Sequence, residues 1–237
     1  MKRLLIIIMV LMPIVGCTNS TSTDIDGNVY QTLVIGNQEW MIENLKVTHY
    51  RNGDPIPHIT HNNTWAGLST GAYCYNNNNP ANGNTYGALY NWYAVDDARG
   101  LAPAGWHVPT DEEIMELEMY LGMSQSQADS AGWRGTNEGS KLAGGYDLWD
   151  SKLLRNDPEF NTSGFSLLPG GYRHCSGAFV FDRGRYGYLW SSTEYSVMNN
   201  NIPSYYAWAR RLYWVFTTMG RPGSYEEYGY SVRCVRD

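Results

Sequence analysis

The side chains of this 237-residue sequence that could do chemistry are its histidines, its cysteines and a dense set of aromatics toward the C-terminus. His49, His58 and His61 lie close together and raise the question of a metal. Zinc needs three or four converging ligands held by a second shell of hydrogen bonds. These histidines sit in a Pro- and Asn-rich stretch with no cysteine or carboxylate at a usual ligand spacing, so they read as exposed loop residues. His107, beside Trp106 and just ahead of a helix signal, reads as a hydrogen-bonded structural residue. The serines of Trp190-Ser-Ser-Thr-Glu194 lack the G-x-S-x-G elbow of a hydrolase nucleophile and read as strand and turn. An asparagine-rich run over residues 76–84 offers side-chain carbonyls but no carboxylate, and reads as a solvated loop. No metal, no cofactor and no catalytic residue is expected.

The aromatics are a different matter. Between Tyr195 and Tyr228 lie Tyr205, Tyr206, Trp208, Tyr213, Trp214, Phe216 and Tyr225. Aromatic faces stack on sugar rings and also anchor protein interfaces. Alternation over residues 207–216 must turn some of them inward. Tyr205, Tyr206, Trp208 and Trp214 are the candidate ligand-binding residues, and the expected ligand is a glycan or a protein of the envelope or of a host.

Something must position these rings, and the best-specified scaffold is the stretch 85–122. Tyr86, Tyr90, Trp92, Tyr93 and Trp106 crowd its first part, which marks it as core. Pro109-Thr110 then precedes Asp111-Glu112-Glu113, so Thr110 can cap a helix while Glu113 reaches back to it. The three acids suit the positive end of the helix dipole. Ile114, Leu117 and Leu121 fall on one stripe, and Gly122 stands where a left-handed C-terminal residue is wanted. The spacing therefore predicts a helix over residues 111–121. Upstream, residues 29–35 and 38–42 read as a hairpin around Gly36-Asn37. Short helices are expected over 124–132 and 138–143, and strands over 188–192, 207–216 and 230–235. Few helices, short strands and no βαβ rhythm predict an α+β domain with antiparallel sheets.

The N-terminus bears on compartment. Lys2-Arg3 and an apolar run over residues 4–15 have the proportions of an export signal rather than of a membrane span. Ile14-Val-Gly-Cys17 looks like a bacterial lipobox, which makes Cys17 the expected lipidation site. The expected organisation is a signal peptide at 1–16, a lipidated tether at 17–23 and one domain at 24–237. That places the protein in the cell envelope, anchored by lipid, with the outer membrane as the expected location. Asp and Glu outnumber Lys and Arg, 23 to 17, so nucleic acid is not an expected partner. With Cys17 committed to lipid, Cys74, Cys175 and Cys234 remain, an odd set that permits one bridge in any of three pairings.

Six segments resemble the Fibrobacter succinogenes major paralogous domain. They are NQEWMIENLKVTHYRNGDPIP (37–57), TYGALYNWYAV (85–95), GWHVPTDEE (105–113), GFSLLPGGYR (164–173), YLWSSTEY (188–195) and GYSVRCVRD (229–237). The resemblance implies an exported, often lipid-anchored bacterial protein. More distantly, HVPTDEE and VRCVRD are similar to the helix start and the C-terminal ending of formylglycine-generating (sulfatase-modifying) enzymes. That likeness implies a C-type-lectin-like fold, with short twisted antiparallel sheets, one well-defined helix and long loops. Ile114 departs from it, standing where the helix motif usually carries tryptophan. By the same likeness Cys74 and Cys234 form the bridge and Cys175 is left over. The redox cysteines of those enzymes have no counterpart between Trp190 and Ser231, and Glu-Pro-Asn or Trp-Asn-Asp calcium motifs are lacking in the late loops. With catalytic equipment lacking and the late aromatics unabsorbed, the expected function is that of a non-catalytic binding module or, alternatively, of a structural component of an envelope or fimbrial assembly.

Overall fold

The computed structural model describes residues 20–180, 183–199 and 202–237, so Cys17 and the leader lie outside the described residues. The chain begins with strand Thr21–Thr23 and the hairpin Val29–Ile35 and Gln38–Met41. Gly36 takes φ +65° at the tip, a left-handed value that a side chain disfavours. A Cβ there would also lie 3.0 Å from the ring of Tyr120. These strands join Val235–Arg236 and Trp106–His107 in one antiparallel sheet, with Val235 paired to both Trp40 and His107.

From that sheet the chain passes directly into the capped helix, Asp111–Tyr120. Glu113 N donates to Thr110 Oγ1 at 3.2 Å, and Thr110 N donates to Glu113 Oε2 at 2.7 Å. Ile114 and Leu117 face inward, and Gly122 takes φ +128° after the helix. Gln38 Nε2 donates to the carbonyl of Glu113, tying helix to hairpin at 3.0 Å.

A second antiparallel sheet is built on the long hairpin Tyr186–Asn199 and Ile202–Tyr213, extended by Met219–Arg221 and Gly132–Arg134, with Gly223–Ser224 also paired to the hairpin. Both faces of its inner half are covered, because side chains alternate. Tyr188, Trp190, Ala207 and Ala209 join a core with Tyr30, Tyr90 and Tyr230. Leu189 and Leu212 point the other way, into a core with Ile114, Leu117 and Phe165. The register slips between Trp190 and Glu194. Here Thr193 Oγ1 accepts from Asp111 N at 2.9 Å, and Ser192 N donates to the Pro109 carbonyl at 2.8 Å. The serine-rich run is therefore a bulge that docks the start of the helix.

Asp111 and Glu118 do not behave as surface acids. Seven residues apart, they share one helix face and are 1% and 0% exposed. Arg210 from the long hairpin binds both, through Nη1 to Asp111 Oδ1 at 2.6 Å and Nε to Glu118 Oε1 at 2.7 Å. Arg221 grips Asp111, and Arg134 grips Glu118, each from a further strand. Carbonyls of Asp129, Ala128 and Met219 take the remaining guanidinium protons. Burial raises the Asp111 carboxyl, but Arg221 and Arg210 more than offset that and leave it below the ordinary 3.8.

Two expectations need correction. Residues 76–84 are not an open loop, because Asn79 accepts from Ala81 N and Pro80 occupies the first position of a helix, Pro80–Tyr86. Residues 230–235 are not one strand. Tyr230 and Ser231 make single bridges to Tyr90 and Leu189, Val232 and Cys234 accept from Leu45 and Met41, and only Val235–Arg236 is strand. This segment is a seam between the two sheets. The short helices fall within the expected ranges, at Gln125–Asp129 and Glu138–Leu142. The overall class is mixed, with curled antiparallel sheets and few helices.

Glu118→Gln leaves three guanidinium groups around one carboxylate, and chemical denaturation should read a loss of about 3–5 kcal/mol, the range for breaking a buried pair. Arg210→Met, which leaves two arginines facing two acids, should cost less; the opposite ranking would refute this account of the cluster. His107 supplies a second check. Its ring nitrogens meet Asp237 at 2.7 Å and Glu113 at 2.8 Å. Burial lowers its pKa, but those hydrogen bonds and charges win and raise it above the ordinary 6.5. A raised folded value means stabilisation that is complete below 6.5 and lost as pH rises through the folded value. Melting temperature should therefore fall between about pH 6 and pH 9 by more in the parent than in His107→Gln.

Candidate functional site

On the face of the long hairpin away from the capped helix, alternation places Tyr186 and Tyr188 on one strand opposite Tyr213 and Arg211 on the other. The C-terminal seam lays Tyr228 and Tyr230 beside them. Tyr186 stacks on Tyr213 at 4.3 Å, Tyr188 on Tyr230 at 4.5 Å, and Tyr228 on Tyr230 at 5.5 Å. Tyr225 continues the row toward solvent, 6.3 Å from Tyr228 and nearly parallel to it. Tyr172, on the short strand Tyr172–Arg173, approaches Tyr188 to 4.8 Å.

Tyr172, Tyr188, Tyr225, Tyr228 and Tyr230 line a cleft of about 240 Å³, closed on one side by Pro222, Gly223 and Ser224 and on another by Arg211. Inner rings are buried and outer ones are not, so the row grades from core to surface. Burial raises the hydroxyl pKa of Tyr230 and Tyr188, which stay neutral, while Tyr230 donates to Ser224 Oγ at 3.1 Å. Burial also pushes Tyr228 up to about 12. Arg211 lies over Trp133 at 4.5 Å, and its stem passes Gly220, where a Cβ would come within 2.7 Å of it. A second hollow, of about 230 Å³ beside His49 and Arg51, is less suited to a ligand because Arg51 is spent on the carbonyls of Ala102 and Trp106.

The four residues singled out from sequence are not brought together. Tyr205 is 54% exposed on the outer half of the hairpin. Tyr206 stacks on Tyr195 at 5.5 Å, on the Trp208 side of the hairpin, and meets Tyr225 at 5.0 Å without lining the cleft. Trp208 points to the opposite face, sandwiched between Tyr195 at 4.3 Å and the Arg221 guanidinium at 3.8 Å, where it roofs the buried ions. Trp214 lies beyond the far end, packed on the second core with Arg185 and Lys152 over its ring. Tyr172, Tyr188, Tyr228, Tyr230 and Arg211 were missed, and the available signal was the Tyr-x-Tyr spacing at 186/188 and 228/230.

The expected Cys74–Cys234 bridge is absent: Cys74, Cys175 and Cys234 are free thiols. Cys74 is buried in a small cluster with Trp65, Ala72 and Leu89, whereas Cys234 is buried in the large core with Tyr30 and Tyr90. Each fills apolar volume as a small hydrophobe. Burial raises both thiols, Cys74 to about 12. His58 and His61 are exposed, and among the described residues no group of three or more His, Cys, Asp or Glu is placed to hold a metal ion. Nor is any described helix long and apolar enough to cross a membrane.

One family model matches residues 33–236, that of the Fibrobacter succinogenes major domain. No curated protein and no solved structure matches.

Without reductant, iodoacetamide should label Cys175 in the native protein and Cys74 and Cys234 only after denaturation. Peptide mapping that recovers Cys74 joined to Cys234 would contradict the free-thiol assignment.

Proposed function

We propose that this chain, which belongs to the Fibrobacter succinogenes major domain family, is an exported lipoprotein whose non-catalytic domain binds a glycan in the tyrosine-lined cleft. The observation that carries this reading is the graded row of rings. A pyranose offers an apolar C–H face rimmed by hydroxyls, and a tyrosine offers an apolar face with a hydroxyl at its tip. Tyr225 and Tyr228 supply ring area at the surface, and the buried rings behind them hold it in place. At about 240 Å³ the cleft lies below the usual range for drug-sized ligands and suits one terminal ring. The binding residues move from Tyr205, Tyr206, Trp208 and Trp214 to Tyr225, Tyr228 and their neighbours.

The lipobox-like Ile14-Val-Gly-Cys17 supports lipidation at Cys17 and attachment to the outer membrane. Curled antiparallel sheets around one long helix are compatible with a C-type-lectin-like architecture, which we include in the proposal. Tyr225 and Tyr228 flank a tight turn closed by Tyr228 N donating to the Tyr225 carbonyl at 3.0 Å, and rings fixed in this way lose less entropy on binding.

Glycan-array screening of the chain freed of its leader tests the reading. Tyr228→Ala should weaken binding by about 1–3 kcal/mol, the range for an interface anchor, whereas Tyr205→Ala should leave it unchanged. Binding to no glycan, combined with stoichiometric recovery in an envelope complex, would replace this reading with that of an assembly component. Cys17→Ala should release the protein from the membrane fraction and abolish acyl labelling; undiminished membrane association would remove the lipid anchor from the proposal.

A further inference from the structure

We infer that the cleft takes an acidic sugar ring and that Arg211 receives its carboxylate, an inference that rests on the glycan reading above. The arginines of this domain divide by what compensates them. Arg134, Arg210 and Arg221 meet the carboxylates of Asp111 and Glu118. Arg173 and Arg233 are fully buried and spend their protons on backbone carbonyls, of Gly177, Ile59 and Thr60 for the first and of Phe165 and Ser166 for the second.

Arg211 follows neither pattern. No carboxylate among the described residues forms an ion pair with it, and its Nε is buried without a hydrogen-bond partner. Trp133 supports the guanidinium from one side at 4.5 Å, and Tyr188, opposite it across the strands, is hydrogen-bonded to it as a neutral hydroxyl that leaves the charge unpaired. An aromatic face holds a cation without neutralising it or consuming its donors. The carboxylates that follow Tyr225 do not fill the role, because neither Glu226 nor Glu227 forms an ion pair with Arg211, and Glu227 Oε1 instead accepts from the Tyr93 hydroxyl at 3.5 Å.

A permanent positive charge thus stands in the wall of a small aromatic cleft, in a protein whose net charge is −6. A neutral sugar would use the rings and leave that charge unanswered. A sugar bearing a carboxylate would use both, since guanidinium–carboxylate hydrogen bonds are among the stronger ones. The same placement selects against a positively charged amino sugar.

Calorimetric titration of the mature lipidated chain in detergent with trigalacturonate, its methyl ester and neutral galactotriose decides the matter. The acid should bind about tenfold more tightly than the ester or the neutral sugar, and added salt should close that gap. Arg211→Gln should close it too, because the charge that distinguishes acid from ester is then gone. The ester comparison uses the unaltered protein, so it stands even where that variant fails to fold. Equal affinity for acid, ester and neutral sugar, lost in Tyr228→Ala, would overturn the role of Arg211 and leave glycan binding intact. Binding of none of the three would overturn the inference and count against the glycan reading as well.

Discussion

Two carboxylates on one helix face hold three arginines that arrive on three different strands, and the rest of the domain is arranged around that contact. Removing such ions from water costs several kcal/mol each, and mutual attraction offsets this only when geometry is good and leftover protons find acceptors. Both conditions hold here, since Arg210 spans Asp111 and Glu118 while carbonyls take protons of Arg134 and Arg221. The consequence is positional more than energetic. A helix shifted by one turn, or a strand slipped by one residue, would strand a charge in the interior. The cluster therefore sets how the helix lies on the sheet.

The same constraint reaches the cleft through one peptide bond. Arg210 and Arg211 are adjacent, and in a strand adjacent side chains point to opposite faces. With Arg210 locked among the acids, Arg211 must emerge on the far face, beside Tyr188 and over Trp133. Trp208 lies on the Arg210 face and serves the ions as a roof, which is why it is unavailable to a ligand. The tyrosine row follows the same register, with Tyr213 opposite Tyr186 and Arg211 opposite Tyr188.

Local features were legible from sequence because their causes are local. The capping box needs only Thr110 and Glu113 three residues apart, the hairpin turn needs only Gly36 with Asn37, and both form as expected. Where a competing local signal existed, it could be misjudged. Asn79-Pro80 starts a helix inside a run that composition marks as loop. Tyrosine-rich segments in the last third were recognisable as a dense aromatic set, yet periodicity could not say which rings meet. Tyr172 joins Tyr228 and Tyr230 only because the seam between the sheets passes beside it.

What the sequence determined by itself was the helix and its cap, the first hairpin, the inward and outward alternation of the strands, and the family through motifs spread along the chain. Each depends on residues a few positions apart, or on order alone. Tertiary structure alone decided the fate of the charges and thiols. Asp111 looks like a helix-dipole acid until Arg210, 99 residues later, is folded onto it, and Glu118 meets the same arginine across 92 residues. Cys74 and Cys234 are a pair by resemblance until Cys74 falls in a small separate cluster and Cys234 in the large core. Alternation states that Arg210 and Arg211 face opposite ways, but which of them meets the helix and which meets the cleft is set by long-range packing, because a strand's two faces are distinguished only by what is packed against them.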